Sequence, residues 1–147
     1  MKFRKLLSAA ILFFAAFFVR GVEVVNAGHS GWNSRQLREI FRQELDKNRP
    51  DLIILMVGTN DNLNSYNLVP PEEFEKNLTA KAESARASGA ELLLCEIPNA
   101  CQELMQKRHK ADFFRRETAE DKVRRANQIV AAVAEAQRIP LLKTTEI

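Results

Sequence analysis

Residues 52–61 read LIILMVGTND, and this stretch decides the fold class of the chain. A continuous apolar run of this length favours a buried strand in a sheet that is covered on both faces. The run ends at Gly58, where the backbone can turn tightly, and Asn60 and Asp61 follow at once. Ordinary strand-to-loop turns are rich in the same residue types. Open α/β sheets also bind ligands at the carboxyl ends of their strands, where the Asn60 amide would be placed to stabilise a developing oxyanion.

A second stretch, VEVVNAGHSGWNS at residues 22–34, has the same organisation: a β-branched strand, a glycine-rich turn and the start of a helix. Together the two stretches resemble the SGNH hydrolases, also called GDSL-type lipases and esterases, and the resemblance covers residues 22–147. In that family a glycine N–H and the asparagine of a Gly-x-Asn-Asp turn form the oxyanion hole. By motif position, these become Gly31 and Asn60 in this chain.

The resemblance implies ester hydrolysis of a small acylated substrate, with no metal ion or organic cofactor. A serine attacks the acyl carbonyl in that chemistry, and the oxyanion hole stabilises the tetrahedral intermediate. Two further residues are candidates for lining the substrate pocket, Trp32 beside Gly31 and Asp61 beside Asn60. An aromatic ring packed beneath the turn is the alternative for Trp32. The sequence does not identify the substrate.

Neither the family's nucleophile nor its base is found in this sequence. Residues 1–21 contain no Gly-Asp-Ser turn, and their only serine is Ser8, inside an apolar run. The two histidines, His29 and His109, stand outside any Asp-x-x-His pattern. A serine hydroxyl needs a positioned base to become a competent nucleophile, so the chain carries only the oxyanion half of the site. Two functions remain open: an ester hydrolase of this family, or a non-catalytic remnant or membrane-tethered binding module with the same fold.

Strands and helices are predicted to alternate along the rest of the chain, which is typical of a parallel sheet with right-handed crossovers. We expect a three-layer α/β/α sandwich with a flavodoxin-like sheet, whose first strand is missing or replaced. The helix after Pro70 begins with proline and acidic residues and stops at Gly89. Thr118 and Asp121 have capping-box spacing. The predicted strands are residues 22–25, 52–57, 92–97 and 141–143, and the predicted helices begin near residues 34, 70 and 118.

Composition fits one globular domain and disfavours a nucleic-acid partner. The 147 residues carry a net charge of only +3. The basic residues within 107–125 are interleaved with acidic ones, so no single-sign field results. A solvated helical face is the simpler interpretation of that segment. The alternative interpretation is that this segment overhangs the site and contacts substrate, because it contains Phe113 and Phe114. The sequence leaves the oligomeric state open.

Residues 1–21 form a separate region, and the domain proper spans residues 22–147. A charged start followed by an apolar run at residues 6–19 resembles a signal peptide, although the run is short for a membrane-spanning helix. A signal or membrane helix, a packed first helix and a misassigned start all remain open. The first of these implies a secreted or membrane-associated protein, and otherwise the protein is cytoplasmic.

The missing serine-bearing strand predicts low stability. In the family that strand lies between those corresponding to residues 22–25 and 52–57, so its loss leaves two unpaired strand edges. A buried backbone group without a partner costs about 1–3 kcal/mol, and several of them exceed a typical margin of roughly 5–15 kcal/mol. We therefore expect a marginally stable chain whose apolar N-terminus is partly exposed and aggregation-prone.

Overall fold

The computed structural model describes residues 21–144 of the chain. The expectations for residues 1–20 lie outside this range. Helices and strands alternate along it in the order α1 (Ser34–Asn48), β1 (Leu52–Leu55), α2 (Thr59–Leu63), α3 (Pro71–Ser88), β2 (Glu91–Cys95), α4 (Gln102–Arg108), a 3-10 helix (Ala111–Phe114), α5 (Ala119–Gln137) and β3 (Leu141–Leu142).

The three long helices begin where their sequences predict, and the predicted stop at Gly89 is observed. Asn33 caps α1 in a capping box with Gln36, in which each side chain accepts a hydrogen bond from the other's backbone N–H. Pro71 occupies the first turn of α3, and Gly89 ends that helix in the left-handed conformation. The predicted capping box at the start of α5 is confirmed, because the Thr118 side chain accepts the backbone N–H of Asp121 and the aspartate accepts in return.

The three strands form one parallel sheet in the order β1-β2-β3. Leu52 pairs with Glu91 and Leu55 with Leu94, while Leu94 pairs with Leu141 on the other side of β2. Each strand reaches the next through a helical crossover, so all carboxyl ends lie at one edge of the sheet. The α/β class with a parallel sheet is confirmed.

The two faces of β1 differ in their surroundings. Alternate side chains of a strand point to opposite faces, and Leu55 and Val57 are buried in the core with residues of α3 and α5. We call this the covered face. Leu52, Ile54 and Met56 lie on the opposite face and are 52%, 66% and 57% exposed. We call this the open face, and within residues 21–144 the expectation of a β1 covered on both sides is wrong.

The prediction of a strand at residues 22–25 is also wrong. This segment has no regular secondary structure, and Val22 and Val24 are 93% and 87% exposed. A cavity separates residues 25–29 from β1 and is lined by both. β-Branched residues favour a strand only when a neighbouring backbone supplies hydrogen bonds. The described residues contain no strand in that gap, so the two segments have not closed up.

Three short elements are absent from the predicted helices and strands. The Gly-Thr-Asn-Asp turn continues into the short helix α2, in which Asp61, Asn62 and Leu63 are buried. The charged segment after β2 contains α4 and the 3-10 helix. Phe114 from this segment is 6% exposed and belongs to the core, and Phe113 packs against the core. These aromatic rings therefore anchor the segment and do not overhang the cavity beside β1.

Candidate functional site

The two motif loops meet at the carboxyl end of β1. The side-chain Nδ2 of Asn60 donates a hydrogen bond to the backbone oxygen of Trp32, at 3.1 Å. Gly31 precedes Trp32 and has φ of 81°, and a Cβ built on Gly31 would meet no atom within 4 Å. Since an asparagine amide has two N–H groups, one remains for another acceptor when the first is bonded to Trp32. The hydrogen bond thus joins Asn60 to the turn that contains Gly31.

A cavity of about 510 Å³ opens beside this junction. It runs between β1 and residues 25–29, and the inner side of α1 forms another wall. Trp32 and Asn60 line it, whereas Gly31 and Asp61 are not among its lining residues. Most of the lining is apolar and includes Leu37, Ile40, Phe41, Leu45 and Met56. The arrangement places a few polar groups, Asn60 and His29 among them, in the wall of an apolar cleft, which is the usual composition of a small-molecule site.

Trp32 is held in the wall of this cavity by its neighbours. Its ring stacks on the imidazole of His29, with ring centroids 4.3 Å apart and planes inclined by 19°. The backbone N–H of Trp32 donates to the carbonyl of His29 at 3.4 Å. Both side chains line the cavity. The indole is therefore part of the cavity surface.

Asp61 differs from its expected position, because it is fully buried and does not face the cavity. Both of its carboxylate oxygens accept the backbone N–H of Ser34, each at 3.0 Å. Burial raises the pKa of Asp61, and the hydrogen bonds from Ser34 and the charge of Lys81 oppose that rise. A carboxylate is well placed at a helix N-terminus, where it accepts an otherwise unpaired N–H. Asp61 holds α1 against α2, and no contact of its carboxylate points to a substrate.

Asn77 and Lys81 of α3 complete this buried group, and neither was identified from the sequence. Asn77 Nδ2 donates to Ser34 Oγ at 2.9 Å, and Lys81 Nζ donates to the Ser34 carbonyl at 2.8 Å. Burial lowers the pKa of Lys81 to about 8, against the opposing charge of Asp61. A signal was available, because Asn77 and Lys81 fall at helical spacing from Phe74 on the predicted inner face. Polar residues inside an apolar stripe indicate buried hydrogen bonding.

One serine–histidine contact lies elsewhere. Ser65 Oγ lies 3.4 Å from His109 Nδ1 and accepts the backbone N–H of Lys110 at 3.3 Å. Burial and the charge of Arg108 lower the pKa of His109. Neither Ser65 nor His109 lines the cavity. The contact joins the loop after α2 to the segment after α4.

The described part of the chain has neither a metal-binding cluster nor a membrane-spanning helix. Across residues 21–144 no group of three or more His, Cys, Asp and Glu side chains is arranged to hold a metal ion. The helices of the same range include none that is long and apolar enough to cross a membrane. Cys95 is buried and Cys101 is exposed, and both are free thiols.

Comparison with protein families identifies one match over nearly the whole chain. The sequence model of the GDSL-like Lipase/Acylhydrolase family matches residues 9–147. No curated protein sequence matches the chain.

Solved structures provide further comparisons. The chain is similar to a GDSL-like lipase from Bacteroides thetaiotaomicron, with 24% identity over 78% of this chain and 52% of that one and a TM-score of 0.64. It is similar to TesA, with 25% identity over 90% of this chain and 64% of that one and a TM-score of 0.62. It is also similar to an acetyl xylan esterase, AlAXEase, with 20% identity over 96% of this chain and 68% of that one and a TM-score of 0.70. The chain thus spans about half the length of the first of these structures and under two thirds of the second.

Proposed function

Because the chain belongs to the GDSL-like lipase/acylhydrolase family, we propose that its cavity binds the acyl group of an ester. The acyl oxygen is bound by the Gly31 N–H and the Asn60 amide, and the acyl chain lies along the apolar wall. The observation that carries this proposal is the hydrogen bond from Asn60 Nδ2 to the Trp32 carbonyl at the end of the cavity. It brings an amide donor to the turn at Gly31, and such donors are what a developing oxyanion requires.

The proposed chemistry is the part of ester hydrolysis that an oxyanion hole performs, namely stabilising the negative charge that develops on the acyl oxygen. An ester carbonyl in the cavity would be polarised by two neutral N–H donors, and the cost in reorganisation is low for Asn60 because its amide is already held by the Trp32 carbonyl. The apolar wall suits an acyl chain of several carbons, since burying each methylene contributes about 0.8 kcal/mol. The whole family reaction also needs a nucleophile and a base, so turnover by this chain alone is not expected.

A binding module without catalysis is the second candidate function, and one observation favours it. Among the described residues that line the cavity, none is a serine. The Ser65–His109 contact lies outside that lining. The two candidates share the cavity and differ only in whether a bond is broken there.

Binding can be tested with the chain as it is, because Trp32 is its only tryptophan and lines the cavity. Octanoate is the probe, and its carboxylate stands in for the oxyanion. Octanoate should change the Trp32 emission saturably, and Asn60→Asp should weaken binding about tenfold or more because it replaces a donor with a like charge. Asn64→Asp is the matched control, since Asn64 is the residue after α2, does not line the cavity, and accepts the nearby Tyr66 N–H through its side chain. Equal affinity in wild type and Asn60→Asp would overturn the proposal.

Catalysis is tested separately with p-nitrophenyl butyrate and a fluorophosphonate probe. We expect no turnover above background and no labelling of a serine. Hydrolysis that disappears in Asn60→Ala would instead establish a complete hydrolase. Hydrolysis that persists in that variant arises outside the proposed oxyanion hole and leaves the expectation standing.

A further inference from the structure

Every polar atom of Ser34 takes part in a hydrogen bond. Its backbone N–H is bonded to the Asp61 carboxylate, its hydroxyl to the Asn77 amide and its carbonyl to the Lys81 ammonium. The side chains of all four residues are buried, with Ser34 and Asp61 at 0% exposure, Lys81 at 2% and Asn77 at 4%. We call these four residues the Ser34 clamp. The clamp joins the first residue of α1 to α2 and α3.

The clamp lies directly behind the proposed acyl site. Ser34 is two residues after Trp32, whose carbonyl accepts the Asn60 amide, and Asp61 is the residue after Asn60. Asn33, between Trp32 and Ser34, is also fully buried and donates to the Asn67 carbonyl at 3.2 Å. The turn at Gly31 is therefore anchored on its C-terminal side by consecutive residues. Displacing Ser34 would move this turn relative to Asn60.

Lys81 is the member whose burial is hardest to explain by packing alone. A lysine is almost never fully buried unless its ammonium is paired, and burying a charge has a large desolvation cost. The neighbours Phe74, Leu78 and Ala82 of α3 are apolar core residues, so an apolar side chain at position 81 would suit the same environment. The ammonium donates to the Ser34 carbonyl at 2.8 Å and to the Asn77 carbonyl at 3.3 Å. Its contacts therefore serve the clamp.

We propose that Lys81 is a positioning residue for the acyl site, acting through the Ser34 carbonyl to fix the turn at Gly31 and Trp32 relative to Asn60. Lys81 does not line the cavity, so it touches no ligand there. This inference rests on the proposed function for its effect on binding. Its effect on the turn itself does not depend on any ligand.

The charge on Lys81 makes this role sensitive to pH. Burial holds its pKa at about 8, while Asp61 from α2 raises that pKa and Arg38 from α1 lowers it. Near pH 7 the ammonium donates charge-assisted hydrogen bonds, which are about twice as strong as neutral ones. Above the pKa the neutral amine holds the Ser34 carbonyl less firmly. The turn should then loosen while the remainder of the fold is unchanged.

The experiment compares wild type with Lys81→Met, Lys81→Arg and the control Lys76→Met at about pH 7 and about pH 9. Lys76 is an exposed lysine of the same helix. Acrylamide quenching of Trp32 measures the exposure of the turn, and octanoate binding measures the site. A His29→Gln variant, measured at both pH values, controls for the imidazole that stacks on the Trp32 ring.

In wild type and Lys76→Met, raising the pH should increase quenching and weaken octanoate binding about tenfold, the size expected for loss of a charge-assisted hydrogen bond. His29→Gln should keep this dependence. Lys81→Met should be in the loosened state at both pH values, and Lys81→Arg should lose the pH dependence. Lys81→Met that behaves like wild type would overturn the inference, as would a pH dependence that survives in it.

The two proposals fail in distinguishable ways. If wild type does not bind octanoate but Trp32 quenching still follows pH through Lys81, the proposed function fails and the positioning role stands. If octanoate binds and neither quenching nor affinity depends on Lys81, the positioning role fails alone. Should Lys81→Met not fold, the pH titration of wild type against His29→Gln and Lys81→Arg decides the question.

Discussion

Ile54 and Leu55 are neighbours on β1, yet Ile54 is 66% exposed and Leu55 is 9% exposed. Leu55 belongs to the core with Phe74 and Val130 of the long helices, whereas Ile54 lies on the open face with Leu52 and Met56. Their chemical character is nearly the same. The difference shows that an apolar sequence indicates only which residues favour burial. Whether each of them is buried depends on whether another element packs against its face of the strand. The covered face should therefore carry the stability of the described domain, and the open face should carry little of it.

The largest expected difference in the free energy of unfolding is between alanine variants of the two turn glycines, Gly58 and Gly31. Gly58 has φ of 132°, and a Cβ there would lie 2.8 Å from Phe74 Cζ and 3.3 Å from Ile97 Cγ2, both on the covered side. Gly58→Ala should lower the free energy of unfolding by roughly 3–5 kcal/mol, since backbone strain and overpacking add. Gly31→Ala meets no neighbouring atom, so only the left-handed backbone opposes it, at about 1–2 kcal/mol. Urea denaturation of both variants measures the gap, and equal losses would show that Phe74 can move aside.

The next comparison is within β1 itself. Leu55→Ala should lower the free energy of unfolding by about 2–4 kcal/mol, because it leaves a cavity among packed core side chains. Ile54→Ala removes a side chain of similar size from the open face and should change stability by less than about 1 kcal/mol. The measurement is chemical denaturation of both variants under one set of conditions. A loss in Ile54→Ala as large as that in Leu55→Ala would show that something covers the open face in solution.

A third prediction concerns alkaline pH and the buried Lys81. Its pKa in the folded chain is about 8, below the ordinary lysine value of about 10.4. Between these two values the unfolded chain binds a proton that the folded chain does not. The free energy of unfolding should therefore rise with pH across this window, by roughly 3 kcal/mol from this group. Denaturation of wild type, Lys81→Met and Lys76→Met at several pH values isolates the contribution, which should be absent only in Lys81→Met.

The smallest effect on stability is expected from a charge on the open face. Ile54→Lys should change the free energy of unfolding by less than about 0.5 kcal/mol, because Ile54 has few contacts to lose. It should nevertheless reduce aggregation, since it interrupts an exposed apolar row at an edge strand. Light scattering and denaturation of residues 1–147 measure the two properties. A wild-type chain that is already a soluble monomer, with one cooperative transition and ordinary stability, would contradict the expected marginality.

Sequence patterns identified the covered half of the domain well, because its signals are local. The capping box at Thr118 and Asp121 and the end of α3 at Gly89 each depend on a few adjacent residues. The strand predicted at residues 22–25 failed because a strand needs a partner, and no local pattern shows whether the partner is present. The surroundings of Asp61 were missed for a related reason. Whether a carboxylate after a strand faces a cleft or a helix N-terminus depends on where α1 packs, which is a property of the whole fold.

The parallel sheet also determines how long each strand waits for its partner while the chain is being synthesised. β1 begins at residue 52 and pairs with β2 at residue 91, and the pairing of β2 with β3 joins residues 94 and 141. Partners on the order of 40 residues apart give a high contact order, which slows folding because loop closure precedes any gain from pairing. During synthesis at 5–20 residues per second, β1 waits about 2–8 s for its first partner. Leu55 and Val57, which are buried in the folded chain, are exposed throughout that interval together with Leu52, Ile54 and Met56, so chaperone binding to the nascent chain should be concentrated at β1.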